Sequence, residues 1–113
     1  MSGARVSRAA ERDRPNRVIG RDLGTEVTLL LVSIDEIGGG PGLHWHPYDE
    51  VFSIQEGRAR YTVGDAVIEA GPGDVVFGPA EVPHRFEVIE TPFRATDIHL
   101  SAEWIQTEVE TGD

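Results

Sequence analysis

The stretch 38–57, GGGPGLHWHPYDEVFSIQEG, decides how this chain folds. His44 and His46 flank Trp45, and Glu50 follows after the three residues Pro47, Tyr48 and Asp49. Residues two apart on a strand share a face, so the two imidazoles point together while Trp45 points away. Pro47-Tyr48-Asp49 is turn-prone and lets the chain reverse, which returns the Glu50 carboxylate toward the imidazoles. Of the four histidines in the chain, His84 stands well downstream and closes the group from another strand. The expectation is a metal site made of His44, His46, Glu50 and His84.

Around this stretch the chain is punctuated by 13 glycines and 7 prolines into short pieces rich in Val, Ile, Phe and Thr. That spacing predicts an all-β sandwich or barrel with no long helix. Strands are expected at 26–37, 43–46, 50–55, 58–63, 66–69, 74–77, 84–90, 93–100 and 104–109. Glu56-Gly57, Gly64-Asp65 and the Gly71-Pro72-Gly73-Asp74 cluster carry turn chemistry and read as hairpins. In 58–63, Ala59, Tyr61 and Val63 alternate with Arg58, Arg60 and Thr62, one dry face and one wet, as in antiparallel sheets. From Val27 to Val32 the first strand is apolar on both faces, which a second subunit covering the outer face would explain. A homodimer is therefore expected.

The spacing of the histidine stretch resembles the first motif of the cupins: glycine, five residues, His-x-His, three or four residues, glutamate, six residues, glycine. Gly38, His44, His46, Glu50 and Gly57 fall on it in register. The second cupin motif reads glycine, five residues, Pro-x-Gly, two residues, histidine, three residues, asparagine. Gly73, Pro79 and His84 match it, while Glu81 takes the glycine position and Val88 the asparagine position. The resemblance covers about 26–100 and implies a double-stranded β-helix, or jelly-roll barrel, of two antiparallel sheets. Neither departure falls on a ligand, so both bear on the pocket and not on the metal.

Composition narrows the chemistry. There is no cysteine, which removes disulfides, cysteine nucleophiles and thiolate metal sites. Three imidazoles and one carboxylate suit Fe, Mn, Ni, Co, Cu or Zn as one divalent transition metal, and the nitrogen ligands disfavour calcium. Four protein ligands on a metal that accepts five or six leave room for a small molecule. The glycine run 38–42 precedes a strand and no Lys-Ser/Thr follows it, so it is not a phosphate loop.

The net charge of −10 is uneven. Residues 1–21 carry six arginines against Glu11 and Asp13, a net of +4, and the rest carries four arginines against eighteen carboxylates, a net of −14. We read 1–21 as a basic, partly flexible tail and 22–113 as one domain. An acidic body repels nucleic acid and anionic lipid, and the tail has no aromatic residue for stacking on bases, so neither nucleic acid nor membrane is expected as a partner. The tail lacks the apolar centre of a secretory signal and no apolar run is long enough to span a bilayer, which makes the cytoplasm the expected location.

Other candidates are weaker. Phe52 and Ile54 share a face with Glu50, and Phe86 and Val88 with His84, so these four are expected to wall the pocket. Tyr48 beside the ligand turn is a weak catalytic candidate. So is His99, which shares a face with Asp97; that pair reads more readily as an exterior or interface pair than as pocket groups. Arg85 alternates outward from His84. Functionally the expectation is a metal-dependent enzyme on a small oxygen-containing molecule, an oxygenase slightly before an isomerase or lyase, with a non-catalytic ligand-binding or regulatory module as the alternative.

Overall fold

The computed structural model describes residues 2–110; Met1 of the expected tail and 111–113 of the expected domain lie outside the described residues. Eight strands account for almost all regular structure, and every pairing is antiparallel. They are β1 (Arg17–Val18), β2 (Thr28–Ile34), β3 (His44–Trp45), β4 (Glu50–Val63), β5 (Ala66–Ala70), β6 (Val75–Gly78), β7 (His84–His99) and β8 (Thr107–Glu108). The only helical pieces among the described residues are a 3-10 turn at Ala9–Glu11 and the four-residue α1 (Gly20–Leu23). Among the described residues no helix is long and apolar enough to cross a membrane.

Two strands organise the molecule. β4 and β7, 14 and 16 residues long, lie side by side and bend together. Their first and second halves belong to different sheets. One sheet runs β6, β4 from Glu50, β7 to His99, β2 and β1; the other runs β5, β4 to Val63, β7 from His84, β3 and β8. This is the expected jelly roll, a curled antiparallel sheet closed on a single core.

The expected hairpin at Glu56-Gly57 is instead the corner where β4 passes from one sheet to the other. The ladder to β7 slips between Ile54 and Glu56, Glu56 and Arg58, and Arg58 and Ala59, the signature of a bulged bend. Gly57 sits there at φ 77°, and a Cβ would lie 2.6 Å from the Glu90 carbonyl oxygen. Likewise 84–90 and 93–100, expected as separate strands, form one continuous β7. Gly64-Asp65 is a two-residue hairpin joining Val63 to Ala66. The Gly71–Asp74 turn carries the chain from β5 to β6, which do not pair with each other.

Inward residues of both sheets interdigitate. Phe52 and Tyr61 have ring centroids 4.9 Å apart, Tyr61 and Phe86 5.2 Å, and Phe86 and Phe93 5.7 Å, with Ile54, Ala59, Val88 and Ala95 between them. Burying each of the larger side chains contributes on the order of 2 kcal/mol. This apolar plug fills one end of the barrel, so the polar inward residues collect at the other.

The N-terminal segment is partly built into the sheet. β1 pairs with β2, placing Arg17 opposite Leu30 and Val18 opposite Leu29. Buried Thr28 ties this arm to the C-terminal loop: the Gly20 N–H donates to its hydroxyl at 2.9 Å, and the hydroxyl donates to the Ser101 carbonyl at 2.8 Å. The Arg21 N–H donates to the Ala102 carbonyl, and the Arg21 guanidinium donates to Glu103 at 2.6 Å. The 101–106 loop is thereby held across the open end of the barrel.

Candidate metal centre

The polar end is assembled from four strand positions and their cross-strand partners. His44 on β3 lies directly opposite His84 on β7, and Glu50 on β4 lies opposite His99 on the far end of β7. Directly paired residues point to the same face, so both pairs project into the barrel. His46, just past β3, joins them. His44, His46, Glu50 and His84 are all buried and each offers a ligand atom within 4.8 Å of the others.

The outer ring nitrogens show how the imidazoles are set. The Nδ1–H of His44 donates to the Gly42 carbonyl at 2.7 Å, that of His46 to the Ile105 carbonyl at 2.7 Å, and that of His84 to the Val82 carbonyl at 3.3 Å. A carbonyl can only accept, so each ring keeps its proton outside and turns an unprotonated Nε2 to the centre. There His46 Nε2 and His84 Nε2 each lie 3.1 Å from Glu50 Oε1. The directions are wrong for hydrogen bonds, and these three buried atoms have no hydrogen-bond partner among the described residues. Lone pairs converging on one point without donors are what a cation satisfies. The donor set therefore fits a divalent transition metal.

Charge is arranged to match. Burial by itself would raise the Glu50 carboxyl, but the imidazoles gathered around it, with His99 turning an N–H to it, outweigh burial and hold it well below the usual carboxylate range. Burial lowers the His44 imidazole, and His84 and His46 beside it push the same way. An ionised carboxylate and a neutral imidazole are the forms that bind metal.

His99 and Asp97 correct the sequence reading. Both are buried, 1% and 3% exposed, and both line the cavity. In the first half of β7 the inward residues are His84, Phe86 and Val88, whereas in the second they are Phe93, Ala95, Asp97 and His99. The bend shifts the alternation by one, so parity carried forward from His84 gives the wrong face. His99 Nε2 lies 3.0 Å from Glu50 Oε2, and its Nδ1 is 2.8 Å from the Tyr48 hydroxyl. With Nε2–H turned to the carboxylate, Nδ1 accepts and Tyr48 donates. Tyr48 also stacks on His46, with centroids 5.0 Å apart and planes 14° apart. Burial pushes the Asp97 carboxyl well above its ordinary range, and the charge of Glu50 adds to it.

Beside these groups opens a cavity of about 450 Å³. Phe52 and Phe86 line it. Ile54 and Val88 do not: they face inward but lie deeper, in the core plug. Val88 is further occupied by the 38–42 loop, since the Gly38 N–H donates to its carbonyl and its own N–H donates to Gly39. Arg85 is exposed, as its alternation requires. Arg17 and Trp104 also line the cavity and were missed, one because it sits in the basic tail and the other because 104–109 was read as strand. Trp104 precedes the two-residue β8 and stacks on His99 at 4.5 Å. A larger depression of about 600 Å³ lies under the arm, framed by residues between Val6 and Leu23, and the histidines take no part in it.

Comparison with known proteins agrees with this architecture. A family model of the cupin domain matches residues 31–99. The chain is 41% identical over 49 residues to an uncharacterized protein of Streptomyces coelicolor, covering 43% of this chain and 47% of that protein. It is 38% identical over 53 residues to the dimethylsulfoniopropionate lyase DddQ of Ruegeria pomeroyi, covering 46% of this chain and 26% of the lyase. The chain thus matches less than half the length of either curated relative. The crystal structure of DddQ aligns with TM-score 0.67 at 26% identity, over 78% of this chain and 46% of that one. Oxalate decarboxylase from Bacillus subtilis aligns with TM-score 0.75 at 20% identity, over 82% and 27%, a likeness of fold.

Proposed function

Because this chain belongs to the cupin family, we propose that it is a metal-dependent enzyme acting on a small oxygen-containing organic molecule by proton transfer, as a lyase or isomerase does. One observation carries the metal: the unprotonated Nε2 atoms and Glu50 Oε1 converge, buried and without donors, beside an open cavity. When bound there, the metal supplies a Lewis acid that polarises a substrate oxygen. The chain's own groups handle the proton. His99 lines the cavity with Nε2–H at Glu50 and Nδ1 accepting from the Tyr48 hydroxyl, so the chain of donors runs inward from the half-buried Tyr48 and can deliver a proton to the cavity. Asp97, whose carboxyl burial pushes well above its ordinary range, stands in the same wall. Phe52, Phe86 and Trp104 give that wall apolar surface. The proton-handling groups favour this class over the oxygenase that the sequence slightly favoured, and the partial likeness to a lyase supports it. The cysteine-free composition is in keeping with a cytoplasmic setting.

The test is to determine bound metal by elemental analysis and then to assay the loaded protein against small hydroxy and keto acids, enols, catechols and keto sugars while oxygen uptake is recorded. Turnover without oxygen uptake, abolished in His44→Ala and reduced in His99→Gln with metal retained, is expected. Oxygen consumption coupled to turnover makes the protein an oxygenase instead. Tight binding without turnover makes it a ligand-binding module, and protein that takes up no transition metal overturns the site.

A further inference from the structure

The cavity holds a cation that the metal centre does not use. Arg17 is the only arginine or lysine in the cavity lining among the described residues. It arrives there by register. Arg17 pairs with Leu30, Leu30 with Asp97, Asp97 with Phe52 and Phe52 with Val76, and paired positions share a face. Phe52, Asp97 and Val76 are buried inside the barrel, so this row, and Arg17 at its end, faces inward. Two strand spacings, roughly 10 Å, separate the backbones of Arg17 and Asp97.

The guanidinium is positioned but not neutralised. Its carbon lies 3.9 Å from the centroid of a Trp104 ring, and that indole stacks on His99, which touches Glu50. Nε is buried without a hydrogen-bond partner, and no carboxylate among the described residues pairs with it. The surrounding chain is rich in acids, eighteen from residue 22 onward, yet this arginine shares its row with Leu30 and lies over Trp104, with no acid paired to it. Arg17 is partly buried with no counter-charge beside it, and a cationic fork next to an aromatic wall is complementary to a planar anion.

We propose that Arg17 is the specificity residue for a carboxylate on the substrate, and that the substrate is a small organic acid whose other end offers an oxygen to the metal. One guanidinium matches one carboxylate; a phosphate site would gather several cations or a nest of backbone N–H groups, and neither is present in the lining. The inference rests on the metal-centre reading above and adds the substrate class to it. It also gives the N-terminal arm a task, since β1 carries Arg17 into the cavity.

The test uses full-length protein loaded with Zn(II), whose uptake is counted by elemental analysis. Malonate, succinate and glutarate, each against its monomethyl ester, are titrated by calorimetry into wild type and Arg17→Gln. Wild type should bind at least one diacid roughly ten- to a hundredfold more tightly than its monoester, the worth of a hydrogen bond to a charged group. In Arg17→Gln, with Zn(II) uptake unchanged, the diacid should fall to the level of the monoester. If Arg17 only pins the arm on Trp104, both ligands weaken together and the preference persists, which overturns the proposal. Wild type that takes up zinc yet shows no preference, or binds none of the diacids, also overturns it. Wild type that takes up no zinc overturns the metal centre itself, and this inference with it.

Discussion

Glu81 stands where the second cupin motif has glycine, and its φ is 67°. The turn before His84 needs a left-handed residue: the Glu81 N–H donates to the His46 carbonyl at 2.7 Å, which sets the approach to β7. Side chains other than glycine lose about 1–2 kcal/mol in that region, partly offset by the chain entropy that glycine forfeits. Glu81 is exposed and makes no contact that the swap removes. Glu81→Gly should therefore raise stability by about 1 kcal/mol in urea unfolding with metal uptake unchanged; a loss of stability would mean the glutamate has a partner in the folded protein. Asp97 gives the opposite lesson. A carboxyl that holds its proton more tightly folded than unfolded contributes stability that is complete below the unfolded value, about 3.9, and is lost as pH rises toward the raised folded value. At neutral pH the buried acid is a cost. Asp97→Asn should thus melt higher than wild type at pH 7 in the metal-free state, with the difference closing below about pH 4; a constant difference across pH would show that shape and not charge is responsible. The two residues were legible to different degrees. Glu81 announced itself as a motif departure, whereas Asp97 and His99 were hidden because the bend in β7 reverses inward and outward.

At the scale of elements, the sequence showed where strands lie better than where they end. The ligand-bearing segments were placed because His-x-His and the Glu50 reversal are local, read within a few residues. The corners were not, because Gly57 offers the same φ freedom to a hairpin as to a bulge, and only the pairing of both halves of β4 with β7 distinguishes them. That difference is testable. A Cβ at Gly57 would strike the Glu90 and Pro92 carbonyl oxygens and the Phe93 backbone, and φ is 77°. These are backbone atoms of the partner strand that cannot rotate away. Gly57→Ala should cost about 2 kcal/mol or more, with loss of soluble protein or of cooperative unfolding. A free hairpin tip would tolerate alanine far better, so a near-neutral variant would argue against the continuous strand. Arg17 and Trp104 escaped notice for a related reason. Neither belongs to a motif, and both reach the cavity through pairings at the two ends of the chain that no local spacing reveals.

The molecule as a whole presents one face that a monomer has little reason to keep. Across the outer side of the β6-β4-β7-β2 sheet, Phe77, Val51, Ile98 and Leu29 form one cross-strand row, and Val75, Ser53, Thr96 and Leu31 form the next. Neither row carries a charge, in a chain whose net charge is −10. Phe77 is 55% exposed and Val75 63% exposed. An uncharged and largely apolar patch of this kind, free of the charges that keep sheet faces apart, is suited to a copy of itself, since a two-fold axis through it sets uncharged rows against uncharged rows. We propose that it makes a homodimer, the assembly that the doubly apolar 27–32 segment led us to expect. Light scattering after gel filtration should give twice 12.4 kDa, and Phe77→Asp should halve that mass while leaving metal uptake intact, because Phe77 points away from the cavity. A monomeric wild type across the micromolar range would leave the patch to some other use. A dimer unaffected by Phe77→Asp would place the interface elsewhere on the barrel.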